Sequence, residues 1–428
     1  MWQDVEWIRS GREKLSPLLR KKSLELYRPL KRTPCVIYRP ALNLRLRLRK
    51  IPVIVQLSGD SVTSRSCSKT ARNAGCMVRY ELTLIGGFST VASVENLERL
   101  VADPGVKRIW YDRDVRAVLD VAVPTVDVPV VWEKKYRGRG VTVAVLDTGI
   151  YAHPELGKRI TAFHDVVNKK TSPYDDNGHG THVAGIIGSS GQSSDGKYTG
   201  VAPEVNLVGV KVLDRYGSGK ISGVIAGVQW CIEHKRRYGI RVLSMSLGAE
   251  ASGSPKDDPL CLAVVKAWNA GVVVCVAAGN RGPNEKTIDS PGNEPVVVTV
   301  GATDDRNTVS VSDDTVASYS SRGPTNEGIA KPDVVMPGTN IISLRSPNSD
   351  LDKKQQGTRV DRWYTVLSGT SMATPMCSGV VALLLEAEPH LNPDVVKTRL
   401  FKATVDLGFD DNAQGAGLVS ARKLILNH

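Results

Sequence analysis

The chain has 428 residues, 41% of them hydrophobic, and a formal net charge of +12, enough for two or three domains or one large α/β domain with an appendage. No uninterrupted apolar run approaches the ~18 residues of a membrane span, and the N-terminus has no signal-peptide core, so the expectation excludes an integral membrane protein and a conventionally exported one. The charge does not mark a nucleic-acid binder: residues 1–52 hold 14 Lys/Arg against 4 Asp/Glu, the remainder is nearly neutral, and no nucleic-acid motif accompanies the basic segment.

In chain order, residues 10–30 have helix-like spacing of Leu and Tyr among charges. This basic segment, 1–50 with "LNLRLRLRK" at its end, is expected to pack on its own protein. "IPVIVQL" (51–57) reads as a strand, 62–75 as a helix, "MVRYELTLIGGFST" (77–90) as a half-buried strand with a Gly-Gly turn, 93–106 as a helix opened by Ser93 and stopped by Pro104-Gly105, and 107–119 as another strand. Together 51–119 predicts a small α+β domain of about 70 residues, marginally stable alone. Residues 120–139 mix Pro, Gly and charge and read as a linker. From Val141, continuous apolar runs alternate with helical segments, which predicts a doubly wound, mostly parallel α/β sheet with helices on both faces over 140–428. The seven cysteines (Cys35, Cys67, Cys76, Cys231, Cys261, Cys275, Cys377) are odd in number and lack C-x-x-C spacing, which predicts reduced thiols and a cytoplasmic location.

Three stretches carry chemistry. "VAVLDTGI" (143–150) ends a strand in Asp147, where α/β sheets collect functional groups. A two-aspartate protease would need a second Asp-Thr/Ser-Gly, and none exists. "DDNGHGTHVAGII" (175–187) sets His179 between glycines at a helix start; His179 and His182 lack the acidic residue and third ligand of a metal site, so His179 reads as a general base and His182 as structural. In "LSGTSMATPMCSGVVALLLEAEP" (367–389), Ser371 stands at the mouth of a long apolar helix, where developing negative charge is stabilised.

The order Asp, His, Ser, each in its own motif, resembles the subtilases, the subtilisin-like serine proteases; the likeness covers about 125–425. It implies a serine endopeptidase acting through an acyl-enzyme, with Asp147, His179 and Ser371 as the triad and Asn280 of "VAAGN" as the oxyanion-hole side chain. It further implies that "SMSLG" (Ser246, Leu247, Gly248), "YGSG" (Gly217), Ala278 and Gly279 bind protein or peptide substrate as an added strand. Residues 51–119 resemble the family's inhibitory, folding-assisting propeptide, so the chain's own N-terminal domain is an expected partner and a processing site is expected between 116 and 139. The basic extension together with "YDDNGHGTH", "SSRGPT" and "SLRSPNS" makes the AprX-type intracellular subtilases the nearest likeness.

Two departures matter. The loop 186–203 lacks the Leu-Asn-Asn run of a tight calcium site, although Glu155 holds the usual acidic position and Asp175 and Asp176 are alternatives; the chemistry requires no cofactor, and structural calcium stays open. The resemblance implies that Asp289 stands where the family has the floor of the S1 pocket, where a carboxylate favours Lys or Arg at P1 unless Arg281 neutralises it. The rival reading is a non-catalytic, self-inhibited peptide-binding protein.

Overall fold

The alternation at 51–57 becomes a central strand of an antiparallel sheet in the computed structural model, which describes residues 6–27, 46, 49–59, 63–112, 114–117, 125–306 and 308–426. That sheet runs Tyr80–Leu82, Gly87–Ala92, Ile51–Leu57, Val106–Tyr111. Val55 faces Phe88 on one side and Ile109 on the other. Helices Ser64–Asn73 and Val94–Ala102 start at the capping boxes of Thr63 and Ser93, whose hydroxyls accept from the N–H three residues on. The single strand expected at 77–90 is two, turned at Gly86, whose φ of 64° is left-handed.

The chain divides into two units, 1–113 with 220–229 and 252–263, and 114–219 with 230–251 and 264–428. The boundary expected at 50/51 does not separate two cores. Ile8, Leu15, Leu19, Leu26 and Tyr27, on or beside helices Glu6–Ser10 and Pro17–Leu26, share one apolar cluster with Val53, Phe88, Leu97 and Ile109. The backbone also joins there, Ser16 N donating to Ile109 O at 2.9 Å and Ile109 N to Lys14 O at 2.7 Å. Most of "LNLRLRLRK" lies outside the described residues. The first unit also takes in the start of helix Ile221–Tyr238, because buried Asp112 accepts from Ser222 N (3.0 Å) and Ser222 Oγ (2.5 Å), a carboxylate at a helix N-terminus.

In the second unit the apolar runs form a mostly parallel sheet ordered Thr404–Val405, Leu418–Val419, Val334–Pro337, Val298–Asp304, Val273–Ala277, Ile240–Met245, Thr142–Asp147, Asn206–Lys211, Ile160–Asp165. This is the doubly wound α/β fold expected for 140–428. The long helix Thr370–Ala387 is apolar enough to cross a membrane but is buried inside the fold; each Leu of its Leu383-Leu384-Leu385 run contributes about 1.5–3 kcal/mol by burial. The segment expected as a plain linker, 120–139, contains helix Val128–Glu133, with Pro129 near its start. A second sheet runs Asp289–Ser290, Leu247–Glu250, Asp114–Ala117, Ser218–Lys220, with Ala117 opposite Leu247 and Arg116 opposite Gly248. The unit boundary thus falls at 113/114 rather than at 119/120. Residues 118–124, inside the expected processing region, lie outside the described residues.

Candidate active site

Asp147 ends the strand Thr142–Asp147 and is fully buried. Its Oδ1 accepts from Thr148 N and meets His179 Nδ1, both at 2.7 Å. His179 is the first residue of helix His179–Gly188, entered through Gly178 at φ 107°, a conformation that favours glycine. Gly180 allows the helix to approach: a Cβ there would fall 2.1 Å from Gly149 O.

A carboxylate that the sequence reading did not single out for this role fixes the two loops. Asp175 Oδ1 accepts from Thr148 Oγ1 (2.9 Å), Asn177 N (3.1 Å) and Gly178 N (2.8 Å), and Oδ2 from Thr181 N (2.9 Å) and Thr181 Oγ1 (2.7 Å). Thr148 Oγ1 in turn accepts from Gly180 N at 2.9 Å. Lys211, fully buried and in register with Asp147, donates to Thr148 O and to Asp176 Oδ1, both at 2.6 Å. His182 is structural: its Nε2 lies 3.1 Å from Ile341 O and 3.3 Å from Thr365 O, and burial pushes its pKa down to about 3.

Ser371 is the second residue of helix Thr370–Ala387, which packs against the His179 helix. Pro375, four residues on, has no N–H to give the Ser371 carbonyl. Ser246 Oγ supplies the donor instead, at 2.7 Å, while Ser371 Oγ donates to Ser246 O at 3.2 Å. The asparagine is oriented from the same turn: Thr370 N (3.0 Å) and Thr370 Oγ1 (3.1 Å) both donate to Asn280 Oδ1.

Of the expected substrate-binding residues, Leu247, Gly248 and Asp289 lie on the second sheet. Leu247–Glu250 pairs with Asp289–Ser290, Ala249 opposite Ser290 and Glu250 opposite Asp289. Asp289 is 7% exposed, held by its N–H to Ala278 O at 2.9 Å and wedged between Gly248 and Gly279, where added Cβ atoms would fall 2.9 Å from its Cβ and 2.4 Å from its Oδ2. Arg281 Nη2 donates to Asp289 Oδ1 at 2.6 Å, so the carboxylate on which a basic P1 preference depends already has a cation. Gly217, at φ 71°, turns the chain into Ser218–Lys220.

The carboxylates considered for calcium do not fit it. Glu155 Oε2 accepts from Ser189 Oγ (2.5 Å) and Gly191 N (2.6 Å), and Oε1 from Ser193 N (2.6 Å) and the Tyr364 hydroxyl. Asp175 is saturated by the donors above, and Asp176 carries Lys211. A shell of N–H and O–H donors suits an anion, whereas calcium requires oxygen acceptors. Among the described residues no three His, Cys, Asp or Glu side chains converge on a metal position.

Comparison with known proteins gives the family of the chain. The model of the subtilase family, peptidase S8, matches residues 138–417. The chain is 45% identical over 98% of its length, and 98% of the relative's, to a protein named serine protease AprX from Bacillus subtilis (strain 168). It is 33% identical over 80% of its length, and 85% of the relative's, to a thermostable alkaline protease of Halalkalibacterium halodurans. Among solved structures, fervidolysin from Fervidobacterium pennivorans matches with a TM-score of 0.69 at 22% identity, covering 88% of this chain and 61% of that one, and shows the fold.

Proposed function

We propose, for a chain that belongs to the subtilase family and is a serine-type endopeptidase, that Asp147, His179 and Ser371 are the catalytic triad and that the protein is made as a self-inhibited precursor. The observation that carries the first part is the 2.7 Å His179 Nδ1 to Asp147 Oδ1 contact, fully buried. It leaves the opposite ring nitrogen, Nε2, to exchange a proton with the nucleophile. Ser371 attacks the peptide carbonyl as His179 takes its proton, forming the tetrahedral intermediate. His179 then gives that proton to the leaving amine, and water repeats the sequence on the acyl-enzyme. Asp147 holds the ring and stabilises its cationic form. Asn280, its oxygen pinned by Thr370, donates to the oxyanion together with the Ser371 N–H at the helix start, and one such donor is worth roughly 2.7–4 kcal/mol.

Substrate is read as an added strand against Leu247–Glu250. The antiparallel pairing of Asp114–Ala117 with that segment supports self-inhibition, because a peptide strand from the chain itself lies where substrate backbone would pair. In this reading the small α+β unit is the inhibitor and folding aid, and proteolytic release opens the cleft. The six described cysteines are free thiols, which supports a cytoplasmic protein. The test is Ser371→Ala with fluorophosphonate labelling and mass spectrometry of the N-terminus. The parent should label at Ser371 and lose its N-terminal unit, and the variant should do neither. Processing at the parental rate in the variant would sink the triad, and a labelled but permanently uncut parent would sink the precursor reading.

A further inference from the structure

Residues 6–27 are built into the first unit in three ways. Their backbone runs beside Val106–Tyr111, the last strand in the order of that sheet. Leu15 bridges Ile109 in parallel, Ser16 N donates to Ile109 O at 2.9 Å, and Ile109 N donates to Lys14 O at 2.7 Å. A sheet edge that would present unpaired backbone groups is thereby covered. Lys14 Nζ also donates to Val101 O at 3.0 Å and to Asp103 O at 2.7 Å. A cation thus meets carbonyls at the C-terminal end of helix Val94–Ala102, where the helix itself supplies no donors. Third, the segment divides by face: Ile8, Leu15, Leu19 and Leu26 are buried, whereas Arg12, Lys21 and Lys22 are exposed. The Trp7 indole donates to the Tyr27 hydroxyl at 3.2 Å and ties the start of the segment to its end. Gly11 lets it lie close, since a Cβ there would fall 2.6 Å from Val101 Cγ1.

The remainder of this α+β unit is small, and a core built from ~60 residues is marginal. Val53, Val55, Leu97 and Ile109 share one apolar cluster with Ile8, Leu15 and Leu19. Loss of the segment would open the sheet edge, uncap the helix and bare one side of that cluster together. We propose that residues 6–27 are a strap that sets the lifetime of the self-inhibited precursor, an inference that rests on the precursor reading above. While the strap is seated, the unit stays folded and resists digestion, because proteolysis of a folded chain requires local opening. When the strap is lost, the open form is populated, the enzyme digests its own inhibitor, and activity appears. The strap takes no part in the chemistry of peptide hydrolysis; it converts the local stability of one unit into a period of latency.

The experiment uses the full-length chain in two backgrounds. In Ser371→Ala protein, amide hydrogen exchange of strands Ile51–Leu57 and Val106–Tyr111 reports the opening of the first unit. Leu19→Ala should raise that opening roughly 30-fold or more, the effect of a large-to-small change in a core, while Leu24→Ala, at a position 47% exposed, should leave it unchanged. In the active background, the lag before a chromogenic peptide is hydrolysed and the disappearance of the N-terminal unit by mass are followed together. Leu19→Ala should shorten the lag about tenfold or more, Leu24→Ala should not, and kcat/KM after processing should be the same in all. Should Leu19→Ala fail to accumulate as precursor, Lys14→Met removes the helix cap without touching the core and should act in the same direction, roughly two- to tenfold. Unchanged exchange in these variants, or a loosened unit with an unchanged lag, overturns the strap. A parent that is fully active while retaining its N-terminal unit sinks the precursor reading and the strap with it, an outcome distinct from the other two.

Discussion

His179 Nδ1 lies 2.7 Å from Asp147 Oδ1, and neither side chain has any exposed surface. The carboxylate fixes which ring nitrogen carries the proton. Asp147→Asn would offer an amide to the same nitrogen and favour the wrong tautomer. Turnover should fall about 10⁴-fold, with KM little changed, in steady-state assays of processed enzyme on a peptide substrate. An unchanged kcat would remove Asp147 from the mechanism.

Thr370 spends both its donors on Asn280 Oδ1. Thr370→Val deletes the hydroxyl alone, a loss of about 0.5–1.5 kcal/mol, or roughly 2- to 10-fold in kcat. Asn280→Ala should cost about 10²–10³-fold. In an Asn280→Ala background Thr370→Val should have no further effect. An additive loss would assign Thr370 some other role.

The Arg281 guanidinium neutralises Asp289 at 2.6 Å. Parent enzyme should therefore discriminate little in favour of basic P1 residues. Arg281→Gln should raise the kcat/KM ratio for Arg over Leu about tenfold, the value of one charge-assisted bond. A second change, Asp289→Asn, should reverse that gain, and P1-varied chromogenic peptides would read both steps.

Burial lowers His153 to a pKa of about 4 and His182 to about 3, against an ordinary value near 6.5. Below 6.5 the unfolded chain takes up protons that the folded one refuses, so the stability these groups contribute is complete above 6.5 and is lost as pH falls toward 4. Each should steepen the decline by about 1 kcal/mol per pH unit. Urea unfolding of Ser371→Ala protein across this range should show it, and His182→Gln should flatten the slope. A slope the same in both proteins would contradict the assignment.

The sequence positions of Asp147 at a strand end and of His179 and Ser371 at helix starts are where the structure has them, because apolar periodicity locates element ends and motifs mark them. The partners were harder to read. Asp175, Thr370 and Ser246 act on backbone amides and carbonyls distant in sequence, and hydrogen bonds of that kind leave no periodic trace. One clue was present: Pro375, four residues after Ser371, implies a carbonyl in need of a donor, which Ser246 meets. The basic extension contributes an apolar face to the core of the first unit. Its Lys and Arg residues drew attention, while the spacing of Ile8, Leu15 and Leu19, which fill the core of the first unit, is an ordinary amphipathic pattern.

Asp175 spans both loops, receiving the Thr148 hydroxyl next to Asp147 and the amides of Asn177 and Gly178 before His179. A displacement of either loop is therefore transmitted to the other, like two jaws on one pivot.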